Sequence, residues 1–150
     1  MKKRIFYFDE DLISIPTLIP VENFGIMQKY INSYEKQLNQ GNVEFPGLKV
    51  QLEEREIKFS EIDNLFRKLL LPYDEVRLEI SPEEVEYDCF AYGNENISIL
   101  GIFDIKQKEK IVTNLSIYKG FKSNEDNILL DKLSEVIFIF CREKKLIIFD

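Results

Sequence analysis

Residues 85–106 read V-E-Y-D-C-F-A-Y-G-N-E-N-I-S-I-L-G-I-F-D-I-K. Two runs rich in aromatic and β-branched side chains are separated by G-N-E-N, a cluster of turn-forming residues, so the stretch predicts two antiparallel strands joined by a tight connection. The second run is apolar on both alternating faces, as expected of a strand in the interior of a sheet. The same pattern continues on either side. E-V-R-L-E-I at 75–80 precedes it across the turn signal S-P-E-E, and I-V-T-N-L-S-I-Y at 111–118 follows Q-K-E-K. Four strands in succession with short turns predict a mostly antiparallel sheet.

Outward from this centre, K-R-I-F-Y-F at 3–8 is apolar on both faces and predicts a further interior strand. S-I-P-T-L-I-P then stays extended, because each proline disfavours the helical conformation in the residue before it. Phe24, Met27, Ile31, Tyr34 and Leu38 are spaced 3, 4, 3, 4 and predict an amphipathic helix over about 21–40, closed by Gly41. Leu48, Val50 and Leu52 alternate, and Ile57 and Phe59 alternate in the opposite phase, a slip that a bulge or turn near 53–56 would explain. Ser60 and Asp63 form a helix-start pair ahead of Ile62, Leu65, Phe66 and Leu69. From Asp126 the spacing is helical again, with Ser123 or Asn124 as cap, and L-I-I-F closes the chain as a strand. For V-I-F-I-F, periodicity leaves a helix and a hairpin strand both open. The predicted fold class is α+β: one domain over 1–150, with a mostly antiparallel sheet of about five to seven strands and two to three packed helices.

Composition narrows the chemistry. The chain has 150 residues, no histidine and two cysteines, which removes histidine triads and histidine zinc sites. Cys89 and Cys141 lie in apolar surroundings and read as reduced, buried thiols. Phosphate-loop, dinucleotide and nucleophile-elbow motifs are missing, and no cofactor is expected. The apolar run after Lys2, Lys3 and Arg4 stops at Asp9, too short for a membrane span or a signal segment, so a cytoplasmic protein is expected. The net charge is −7, and its imbalance is local: residues 51–100 hold thirteen acids and five bases, and 74–95 hold eight acids against Arg77 alone. Such a field repels nucleic acid and attracts basic proteins or cations.

The centre of that field is S-P-E-E-V-E-Y-D-C-F at 81–90. With the turn at Ser81–Glu84, Ile80 would face Val85, Leu78 would face Tyr87 and Val76 would face Cys89 on an apolar inner side. Arg77 would then face Asp88 and Glu79 would face Glu86 on an acidic outer side. The candidate partner-binding residues are Glu79, Glu83, Glu84, Glu86, Asp88 and Tyr92, with Tyr87 pointing inward unless the register is shifted.

In size, charge and lack of catalytic machinery the chain resembles bacterial immunity proteins, including those of contact-dependent inhibition systems. That resemblance implies a cytoplasmic inhibitor whose acidic face blocks the phosphate-binding groove of a basic toxin. A second resemblance is to PD-(D/E)xK nucleases. Asp88, followed by D-I-K at Asp104 to Lys106 at the end of an apolar strand, is similar to that family's motif, which implies two acids on a metal and a lysine that helps activate water. The proline-acid pair of that family appears here as Pro82 and Glu83, displaced from Asp88. A structural or oligomer-forming subunit is the third expectation.

Overall fold

A computed structural model describes residues 2–9, 16–41, 47–94, 96–119 and 127–149. It shows an α+β fold with eight strands and three α-helices among these residues: β1 (Ile5–Phe8), β2 (Thr17–Pro20), α1 (Phe24–Asn39), α2 (Phe59–Phe66), β3 (Glu75–Leu78), β4 (Ser81–Val85), β5 (Cys89–Gly93), β6 (Ile97–Phe103), β7 (Val112–Lys119), α3 (Asn127–Lys144) and β8 (Leu146–Phe149). The strands form two sheets instead of one, ordered β1-β3-β4 and β5-β6-β7-β2-β8. All pairings are antiparallel except β1 with β3.

The central hairpin forms as the sequence predicts. β5 pairs with β6 from Cys89↔Ile102 to Gly93↔Ser98, and β6 pairs with β7 along its whole length, so β6 is an interior strand. Alternation then sorts the side chains. Phe90, Tyr92, Ile97, Ile99, Phe103, Val112 and Leu115 join Ile62 and Phe66 of α2 and Leu133, Ile137 and Phe140 of α3 in the main core. Burying a side chain of this size stabilises the fold by roughly 1.5–3 kcal/mol. On the opposite face Ala91, Leu100 and Tyr118 meet Val76, Phe6 and Phe8 of the small sheet in a second cluster. The five-stranded sheet is therefore a middle layer, with α2 and α3 on one side and the small sheet on the other.

Several expectations change. Residues 5–8 form an edge strand, not an interior one, and Tyr7 is exposed. The slip near 53–56 is a turn, the 3-10 segment Leu52–Arg55, but the alternating residues on either side of it, between 48 and 59, form no extended strand, and only Lys58 bridges to Ile111. The segment is held instead by Asn23, fully buried, whose side chain accepts the Lys49 and Val50 N–H groups and donates to the Val50 carbonyl. α2 starts one residue before Ser60, with the Glu61 carboxylate accepting the Lys58 N–H at 3.0 Å. V-I-F-I-F is helical, within α3, and Arg55 donates to the carbonyls of Lys144 and Lys145 at that helix's C-terminal end. The Ser123 or Asn124 cap and the Asp126 start lie outside the described residues. The 3, 4, 3, 4 stripe is helical as predicted, yet Met27 alone of its five members is buried. Phe24, Ile31, Tyr34 and Leu38 face outward because α1 settles on the sheet through its Met27 and Tyr30 side, where Tyr30 meets Phe149.

Candidate partner-binding face

The run 85–92 is not one strand. β4 ends at Val85, the chain turns through Tyr87 and Asp88, with the Cys89 N–H donating to the Glu86 carbonyl at 3.3 Å, and β5 then begins in the other sheet. A run that alternates without interruption carries no mark of a change of sheet, so Tyr87, placed inward by alternation, instead stands at the apex of the turn, 79% exposed. Glu86 and Asp88 flank it.

S-P-E-E is likewise not the hairpin turn. The chain reverses at Glu79 and Ile80, and Ser81–Val85 returns as the edge strand β4. Its register is broken: Leu78 pairs with Ser81, but the adjacent Arg77 pairs with Val85. Pro82, Glu83 and Glu84 are thus extra residues bulged out of the ladder, and all three are exposed. A regular strand would have turned one of the two glutamates inward. Proline fits here because an edge position spares it a ladder hydrogen bond. The expected facing pairs Arg77–Asp88 and Glu79–Glu86 do not form in this register.

The region's cation is used internally. Arg77 binds the Glu75 carboxylate at 2.6 Å and the Pro82 carbonyl at 2.9 Å, and Lys3 takes the other Glu75 oxygen at 2.7 Å. These hydrogen bonds, from Lys3 first and then from Arg77, hold the Glu75 carboxyl below its ordinary range. Glu79, Glu83, Glu84, Glu86 and Asp88 enter no ion pair among the described residues. Exposed Ile80 and Tyr87 lie among them. Sequence reasoning missed these two apolar members of the face; Asp88, a turn-favouring residue directly after Tyr87, was the signal that could have found the second.

Tyr92 does not belong to this surface. It is 1% exposed, packs against Phe66 and Phe90, and donates its hydroxyl to Asp63 at 2.6 Å. Burial, then that carboxylate, raises its ionisation well above the ordinary tyrosine value. Cys89 donates its thiol to Asp88, and burial followed by the charges of Asp88 and Glu86 pushes it up to about 12; burial alone pushes Cys141 up to about 11. Both thiols stay protonated at neutral pH.

The structure brings Asp88 and Asp104 to one end of the β5–β6 pair, where the Phe103 N–H donates to the Asp88 carbonyl at 2.9 Å. Asp104 accepts the Lys106 backbone N–H at 2.9 Å, closing the turn after β6, and Lys106 is exposed. Among the described residues no three His, Cys, Asp or Glu side chains converge as a metal-holding group, and no helix is long and apolar enough to cross a membrane.

Compared with protein-family models, curated proteins and solved structures, the chain matches none.

Proposed function

We propose that the protein is an acidic inhibitor that neutralises a basic protein partner in the manner of an immunity protein, by laying the β3–β4 edge and the Tyr87 turn into a groove shaped for phosphate. The observation that carries this reading is the exposed Tyr87, flanked in the chain by Glu86 and Asp88 and following the bulged Glu83 and Glu84. Charges of one sign raise the encounter rate and select the partner, while a central aromatic residue supplies affinity once it is desolvated. The groove's own cations would compete for the carboxylates as they do for nucleic-acid phosphates. Arg77 does not oppose this, since Glu75 neutralises it within the protein.

The test uses nuclease toxin domains encoded beside the gene as probes. Wild-type protein should bind one of them and suppress its cleavage, with affinity falling as salt rises. Replacing Glu83, Glu84 and Glu86 with Lys should abolish suppression, and Tyr87→Ala should weaken binding at least tenfold, about 1.4 kcal/mol. Because Glu83, Glu84 and Tyr87 are exposed and Glu86 is half-buried without an ion pair among the described residues, the variants should unfold at close to the urea concentration of wild type. Inhibition that survives both sets of changes removes this face from the mechanism. Cleavage of nucleic acid by the purified chain with Mg²⁺, lost in Asp104→Ala, would replace the reading with the nuclease one.

A further inference from the structure

We propose that the protein forms a twofold homodimer by antiparallel pairing of β8 with β8 of a second copy, sealed by α3 on one face of the resulting ten-stranded sheet. β8 is the last strand in the order β5-β6-β7-β2-β8. Its sequence, L-I-I-F, holds none of the charges, prolines or bulges with which sheet edges are usually blunted. The Val21 N–H donates to the Lys145 carbonyl, and β8 pairs with β2 through Ile19↔Ile147 and Leu18↔Ile148. Alternation along an antiparallel pair therefore turns the backbone groups of Ile147 toward β2 and those of Leu146 and Ile148 away from it. Two copies related by a twofold axis at Ile147 would set Leu146 opposite Ile148 of the other copy twice, closing four backbone hydrogen bonds.

The side chains point to the same axis. A groove of about 520 Å³ runs between α3 and β8, walled by Ser134, Phe138 and Arg142 on the helix and by Ile148 on the strand. Phe138 is 66% exposed and Ile148 50% exposed, on the outer wall of this apolar groove. Phe138 lies six residues before Lys144, or about 9 Å back along the helix. Ile147 lies two residues beyond Lys145, or about 7 Å back in the same direction along the strand. An axis through Ile147 thus passes beside Phe138, so each Phe138 would meet its counterpart and Ile148 of each copy would cover the groove of the other.

Charge identifies the occupant as a second copy and not a foreign strand. Asp131, Ser134, Phe138 and Arg142 share one exposed stripe of α3, acidic at one end and basic at the other. Antiparallel pairing about Phe138 brings Arg142 of one copy within a helical turn of Asp131 of the second. Neither side chain has an ion pair within its own chain among the described residues. The edge is thus self-complementary, as a closed twofold interface requires. It also lies at the opposite end of the large sheet from β5 and the Tyr87 turn, so it neither uses nor depends on the acidic face.

Sedimentation velocity on the full chain tests this. The wild type should sediment at twice the 17.8 kDa chain mass, with a dissociation constant tighter than about 10 μM. Phe138→Glu and Ile148→Lys should each raise that constant at least tenfold while leaving the far-ultraviolet circular dichroism unchanged. Arg142→Glu should weaken the dimer, and adding Asp131→Arg to it should restore it. A monomer at about 100 μM overturns the proposal, and so does a dimer indifferent to both apolar substitutions. A dimer that the charge exchange fails to rescue overturns the register.

Discussion

At the scale of single residues, two polar side chains do structural work that no local pattern announces. Asn23 is wholly buried and makes three hydrogen bonds to Lys49 and Val50 at 2.7–3.0 Å. It thereby supplies the partners that a strand ladder would otherwise give to the segment leading into Leu52. Asn23→Ala takes away the partner of those part-buried backbone groups and should lower the unfolding free energy by about 1–3 kcal/mol, read from the shift of the urea midpoint; a loss below about 0.5 kcal/mol would show that the segment is held by something else. Tyr92 makes the same point for the candidate site. An aromatic residue between acidic stretches reads as a recognition residue, but its partner Asp63 is 29 positions away, and sequence spacing carries no information about that meeting.

At the scale of elements, the β5–β6–β7 meander was legible because each strand obeys the alternation of a sheet whose two faces are both covered. Gly101 shows how tight that packing is. It stands opposite Phe90, and a Cβ placed there would lie 2.1 Å from the ring. Gly101→Ala must push Phe90 off Phe59 and Phe103, its ring neighbours at 5.0 and 6.0 Å. The expected cost is about 1–3 kcal/mol, with the near-ultraviolet aromatic signal altered; a variant with wild-type stability and spectrum would mean that the ring sits elsewhere. The acidic strand was half legible. Its charge and exposure follow from composition, but its register does not, because the bulge at Pro82–Glu84 and the crossing between sheets at Tyr87 are fixed by Arg77 and by packing against the second sheet. α1 forms as a helix where its spacing predicts one, but the face it buries was not legible, for a related reason. Periodicity identifies an apolar stripe without saying whether this chain covers it, and here the sheet meets the flank of the stripe.

At the scale of the whole molecule, charge acts in two opposing ways as pH falls. A net charge of −7 is self-repulsive, and partial protonation would relieve that strain and favour the folded state. Against it stand carboxyls held below their ordinary values. Glu61 is lowered first by its hydrogen bond from Lys144, and Glu22 by that from Arg55. Burial resists ionisation of Asp63, but hydrogen bonds from Arg67 and Tyr92 outweigh it, so that its value too is lowered. A carboxyl with a folded value below its unfolded one contributes stability that is complete above the unfolded value and is lost as pH falls through the folded one. The unfolded values here are 4.5 for glutamate and 3.8 for aspartate. Specific pairs act over a few ångströms, whereas the net repulsion is spread over the surface and screened by salt, so at moderate ionic strength the paired carboxyls should decide the sign. With no histidine to titrate and both thiols raised, urea midpoints should be level from about pH 6 to 8 and decline steadily below about pH 4.5. Lys144→Met should flatten part of that decline by removing the cation that lowers Glu61. A midpoint that rises on acidification from pH 5 to 3 would instead place the general repulsion above the named pairs, and a step between pH 6 and 7 would require a titrating group other than these.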